Sequence, residues 1–279
     1  MKNCLSIIFS TVFFFGLSSC TQTAKTQNAL PPPLPDSLLR REKEYTSLED
    51  ALAAPEKVYM LDLKGQGLRE LPESIGRLKY LQHLTLSENH LKRLPDSLVM
   101  LKNLQLLLLR DNKGLDAHST FNILTQLPNL QYLTLSNLNL SDIPRQIKGL
   151  DSLEVFILSA NPKIKIKDVV SFLGDKQKLA LLYLDKNNLE SLPNDMDKLK
   201  QVNGLYLNGN KFKSFPKVIL GMKQLSALDL RNNPIQKLPK SIKNLVKLEV
   251  LYLHGTQIPD SELAKIREWL PNTEIVLDY

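Results

Sequence analysis

The sequence predicts a right-handed α/β solenoid with a parallel β-sheet along its inner, concave side. Three observations carry that expectation. A nine-residue pattern, L-x-x-L-x-L-x-x-N, recurs nine times, starting at residues 58, 81, 104, 130, 153, 179, 202, 225 and 248. Its copies lie 23 residues apart, except for two intervals of 26. Leu fills 58 of the 279 positions and Asn 20, as expected when every coil uses the same leucine set and one asparagine. Cys4 and Cys20 are the only cysteines, so the repeats must hold together by packing, without disulfides or a thiolate metal site. With 43% hydrophobic and 23% charged residues, the chain fits neither a disordered nor a collagen-like class.

The elements run in order along the chain. Residues 1–19 read as a signal peptide, with Lys2 at the start and an apolar stretch from Leu5 to Phe15 that is too short to span a bilayer. Leu17-Ser18-Ser19-Cys20 resembles the lipobox of bacterial lipoproteins. That resemblance implies cleavage before Cys20, a diacylglycerol on its sulfur, and export to the cell envelope. Thr21 in place of Asp favours the outer membrane in the Gram-negative pattern, while the leaflet faced stays open. Residues 20–44 then read as the lipidated Cys and a tether, extended near Pro31, Pro32, Pro33 and Pro35. Residues 45–57 read as an N-terminal cap with a short helix over 46–54, started by Thr46 or Ser47.

Residues 58–258 hold the nine repeats. In the clearest copies, Leu81-x-x-Leu84-x-Leu86-x-x-Asn89 and Leu225-x-x-Leu228-x-Leu230-x-x-Asn233, leucines at the fourth and sixth positions alternate with polar residues. That is the period of a strand with one buried face. One strand per coil cannot bury its own leucines, so the coils must stack. Asn89, Asn112, Asn161, Asn187, Asn210 and Asn233 sit where the chain leaves the strand. A buried amide there satisfies the main-chain groups of adjacent coils, each of which costs roughly 1–3 kcal/mol if left unpaired. Gln66, Leu138 and Thr256 interrupt this row, so the ladder should be weakest at the fourth coil.

Most copies continue to a Leu-Pro-like pair, such as Leu71-Pro72, Leu94-Pro95 and Leu238-Pro239, which predicts an extended or 3₁₀ outer side. The two 26-residue copies lack that proline and read as helical around 118–126 and 167–173. Residues 259–279 form a closing cap, with a helix over 260–269 and a final strand at 275–277. The pattern resembles the leucine-rich repeat family over about three quarters of the chain. The resemblance implies a stacked-coil fold and leaves the ligand open.

No Gly-rich phosphate loop, H-E-x-x-H or G-x-S-x-G is present, so neither an enzyme nor a cofactor or metal site is expected. His83 and Ser87, four residues apart on one predicted strand, would be about 13 Å apart, too far for a nucleophile and its base. Function should instead fall to the concave face, onto which strand alternation turns the third, fifth and seventh positions of each copy. These rows supply Leu106, Leu108, Arg110, Tyr132, Val155, Ile157, Leu181, Tyr183, Asp185, Tyr206, Arg231 and Tyr252 as the candidate ligand-binding set. An exposed apolar and tyrosine-rich patch is an interface signature, oriented here by Arg110, Asp185 and Arg231. The expected partner is a protein or peptide; the alternative is a glycan or cell-wall polymer stacked on the tyrosines. Charge is also uneven: residues 198–247 carry ten Lys and Arg231 against Asp229 alone. Weak contact of that region with anionic surfaces is expected, and nucleic acid is not.

Overall fold

The computed structural model describes residues 32–278. The signal segment, Cys20 and the first part of the tether lie outside the described residues. Among the described residues, eleven strands, from β1 (Glu44–Tyr45) to β11 (Glu274–Val276), form one parallel sheet in strict chain order. Nine of them are the repeat strands: β2 (Met60–Asp62), β3 (His83–Thr85), β4 (Leu106–Leu108), β5 (Tyr132–Thr134), β6 (Val155–Ile157), β7 (Leu181–Tyr183), β8 (Gly204–Tyr206), β9 (Ala227–Asp229) and β10 (Val250–Tyr252). Each pairs in register with the next, so third positions meet third and fifth meet fifth throughout, as in Tyr132↔Val155 and Thr134↔Ile157. The architecture expected from the repeat spacing, an α/β solenoid, is therefore the one observed.

The fourth-position leucines, among them Leu84, Leu107, Leu133, Leu182, Leu205, Leu228 and Leu251, are all fully buried in one continuous core. Full burial of such a side chain stabilises by about 1.5–3 kcal/mol, and each coil obtains it only from its neighbours. On the outer side, Pro72, Pro95, Pro144, Pro216 and Pro239 each precede a five-residue 3₁₀ turn. Proline suits that place because its fixed φ starts the turn and its missing N–H would have had no partner there. The two longer copies instead carry true helices, Ala117–Leu124 and Ile166–Leu173, at the places the sequence indicates.

The chain leaves every repeat strand by the same device. Residues in the eighth position, Gly65, Glu88, Asp111, Asn137, Ala160, Lys186, Gly209, Asn232 and Gly255, all take a left-handed φ between 52° and 70°. In six of the nine coils the next residue is the ladder asparagine. Asn210 shows the full pattern: its Oδ1 accepts from the Asn187 and Leu189 amides, and its Nδ2 donates to the Leu184 and Leu207 carbonyls. At the fourth coil Leu138 supplies no amide; its own N–H and that of Leu140 donate to Asn161 Oδ1 of the following coil. Asn187 departs in another way, since its Oδ1 accepts from Asn161 N but its buried Nδ2 has no hydrogen-bond partner.

Both ends are covered. At the N-terminal end a helix, Leu48–Ala53, starts at Ser47, whose Oγ accepts from Asp50 N at 3.3 Å. At the C-terminal end, helix Asp260–Trp269 buries Leu263 and Ile266, and β11 (Glu274–Val276) pairs with β10. The segment read as an extended tether differs from expectation within its described part. Residues Asp36–Leu39 form a helical turn, α1, and Glu44–Tyr45 form β1, which pairs with β2 at the sheet edge. No described helix is long and apolar enough to cross a membrane.

Candidate functional site

The register of the sheet brings the candidate residues together in three parallel rows along the inner face. Their exposure differs from the sequence expectation. Leu106 and Val155 are buried, at 9% and 3% exposure, and Arg110 is exposed; the other nine candidates are half-buried. The strongly exposed large apolar residues among those described are Leu38, Met100 and Val246, of which none belongs to the rows. The patch is therefore not an open apolar sheet. Alternating positions on a pleated strand do point outward, but inward curvature crowds the side chains of adjacent coils, and further chain lies against them.

Coils six to nine carry a compact aromatic and charged seam. Tyr183 and Tyr206, side by side on β7 and β8, stack with ring centroids 4.0 Å apart and planes 3° from parallel. Gly204 makes this possible. A Cβ there would stand 2.6 Å from Leu181 Cδ2 and 3.1 Å from Tyr206 Cε2, so those side chains fold over a strand position that only glycine leaves free. Burial holds the hydroxyls of Tyr132, Tyr183 and Tyr206 above the ordinary phenol range, so all three stay neutral donors and acceptors. A further stack of this kind continues at coil nine, where the Arg231 guanidinium lies 5.1 Å from the Tyr252 ring centroid.

Two carboxylates order the polar side of the seam. Asp229, 1% exposed, receives the Arg231 side chain as a fork, with Nη2 at 2.6 Å and Nε at 3.0 Å from both oxygens. Asp185 accepts from Asn208 N at 2.8 Å and from Ser159 Oγ at 3.1 Å. Burial first, and then the nearby Asp229 carboxylate, push Asp185 up to about 6, against the opposing pull of those donors and Arg231. Arg110, by contrast, turns toward Asp111 at 2.8 Å and remains at the rim. No group of three or more His, Cys, Asp or Glu residues among those described is placed to hold a metal ion.

Coils two to five hold a feature the row reading missed. Gln82 occupies the second position of its copy, and its side chain makes two hydrogen bonds to the main chain of Leu34, from the segment before β1. The signal was a run of amides at that position, Gln82, Gln105 and Gln131, which the leucine and tyrosine rows overshadowed.

This stacked-coil sheet defines a repeat-built solenoid scaffold. A family model described as "Leucine rich repeat" matches residues 56–113, and a second, "Leucine Rich Repeat", matches residues 224–245. The two matched segments support a leucine-rich repeat family for the chain. Repeats of this family generally mediate protein–protein binding, and its members are typically non-catalytic scaffolds. Comparison with curated proteins gave no match. Among solved structures, an internalin (inlF) from Listeria monocytogenes is 18% identical, with 84% of this chain and 71% of that chain covered at a TM-score of 0.58. TLR13, from its complex with ssRNA13, is 23% identical at a TM-score of 0.59; 74% of this chain aligns with 30% of that longer one. A leucine-rich repeat protein of Leptospira interrogans is 23% identical, with 85% of this chain and 100% of that chain covered, at a TM-score of 0.37. The fold likeness rests on the first two.

Proposed function

We propose that the protein is a non-catalytic scaffold of the bacterial envelope, anchored by lipid on Cys20 at the outer membrane, that binds a protein or peptide on its concave face. The observation that carries this reading is the seam of coils six to nine. Tyr183 and Tyr206 are locked against each other, so they offer aromatic area to a ligand with little further loss of side-chain freedom. Asp185 and the Asp229–Arg231 pair flank them with fixed polar groups that orient a partner. The parallel stack also covers one face of each ring, which favours a peptide over a sugar laid between the tyrosines. The lysines of residues 198–247 add weak, salt-sensitive contact with anionic surfaces.

A photo-crosslinking residue placed at Tyr206 in the native envelope tests the binding face, with the same residue at Lys240 on the outer side as control. Discrete protein adducts at 206 and not at 240 are expected. Equal labelling at both positions would mean that the inner face is not the site. Cys20→Ser tests the anchor separately: the variant should leave the membrane fraction, and its retention there would overturn the lipid assignment.

A further inference from the structure

Leu34 is held by Gln82 on both of its main-chain polar groups. Its N–H donates to Gln82 Oε1 at 2.9 Å, and its carbonyl accepts from Gln82 Nε2 at 3.0 Å. The Gln82 side chain is fully buried, and its Nε2 also donates to Gln105 Oε1 at 3.1 Å. A buried amide that meets the N–H and C=O of a single residue does the work of a neighbouring strand, without regard to that residue's side chain. The captured segment suits the device. In Pro31-Pro32-Pro33-Leu34-Pro35 only Leu34 has an N–H, and Pro35 confines Leu34 to extended backbone.

The residues after Leu34 stay on the inner face. Asp36 lies close enough to act electrostatically on both His83 of coil two and Glu154 of coil five. Leu39 is 1% exposed yet stands apart from the continuous core, as do the inner-face residues Leu106 and Val155. The sequence of residues 34–39, LPDSLL, nearly duplicates LPDSLV at 94–99 on the outer side of a repeat. A spare copy of the outer motif thus begins at a main-chain contact with Gln82 of coil two.

We propose that Gln82, steadied by Gln105, is a main-chain clamp in a peptide groove over coils two to five, whose ligand is a leucine between prolines followed by an acidic turn and a second leucine. In this chain the groove is filled by residues 34–39, and an outside peptide of the same chemistry has to displace them. This groove is separate from the tyrosine seam, so it stands or falls independently of the binding face proposed above.

The test uses the full-length chain and a fluorescent synthetic peptide of residues 32–43. Hydrogen exchange should find residues 34–39 protected in the wild type and freely exchanging in Leu39→Glu, with β3–β6 equally protected in both. The peptide should bind Leu39→Glu and not the wild type. Methylating the peptide nitrogen at the Leu34 position, which removes only the donor, should weaken binding about tenfold. If Leu39→Glu lowers the melting temperature of the repeats, Leu34→Pro replaces it, because it deletes the same N–H from a segment outside them and must likewise release residues 34–39. Wild-type exchange of 34–39 at free-peptide rates would overturn the proposal, as would retained protection in Leu34→Pro or equal affinity of the methylated peptide.

Discussion

Asn210→Ala should destabilise the solenoid far more than Asn187→Ala, although both asparagines are buried members of one ladder. The Asn210 side chain makes four hydrogen bonds at 2.9–3.0 Å, to Asn187 N, Leu189 N, Leu184 O and Leu207 O. Truncation strands two amides and weakens two carbonyls between tightly stacked coils. At roughly 1–3 kcal/mol per stranded group, with partial relief because each carbonyl keeps a second lone pair, the loss is about 3–5 kcal/mol. Asn187 offers much less to lose. Its Oδ1 accepts one bond from Asn161 N, while its Nδ2 is a buried donor without a partner, whose removal is favourable. That cost should be about 1 kcal/mol. For a chain of this size 1 kcal/mol corresponds to roughly 2–4 °C, so Asn210→Ala should melt about 10 °C below wild type and Asn187→Ala within about 4 °C of it. Thermal scans followed by far-ultraviolet circular dichroism give both values. Equal losses would show that the side-chain hydrogen bonds are not what couples neighbouring coils.

Three further expectations arise from single sites. Ala160 takes a φ of 60° with no side-chain bond to hold it there, so Ala160→Gly should raise stability by up to about 1 kcal/mol; a lower melting temperature would contradict the strain argument. Arg231→Ala leaves the buried Asp229 carboxylate with only the residue-231 main-chain N–H and should cost about 3 kcal/mol, whereas Asp229→Leu with Arg231→Met should be nearly neutral; equal losses in urea denaturation would refute this. Asp185 holds its proton more tightly when folded than when unfolded, so deprotonation works against the fold. Its contribution is present below about pH 4 and lost as pH rises to about 6, so Asp185→Asn should flatten that fall and be the more stable protein at pH 7. Parallel pH-dependent fall in both proteins would remove Asp185 as its cause.

The fold was legible because its determinants are local and repeated. Nearly every coil spells the same inward leucines, and the Pro at 72, 95, 144, 216 and 239 marks five of the outer turns. Ser47 and the helix over 260–269 followed from capping residues and apolar spacing. The inner face was legible only in part. Strand alternation gives the direction of Leu106 and Val155 but not their burial, and it is silent on Leu34, which reaches the face through main-chain bonds to Gln82 that no side-chain pattern spells. Nor does the eighth position advertise its left-handed backbone, since Glu, Asp, Ala and Lys take it as well as Gly. The Tyr183–Tyr206 pair was visible as two residues in a row; the glycine that lets Leu181 and Tyr206 lie flat was not.

The grip on Leu34 also sets a distance. Cys20 and Leu34 are fourteen residues apart along the chain. Fully drawn out, that span covers about 50 Å, and freeing the ten residues on to Glu44 adds about 35 Å more. With Cys20 in a bilayer as proposed, the hold on Leu34 would cap the reach of that span at about 50 Å. A competitor that frees Leu34 would lengthen that reach, so ligand occupancy would be written as height above the lipid.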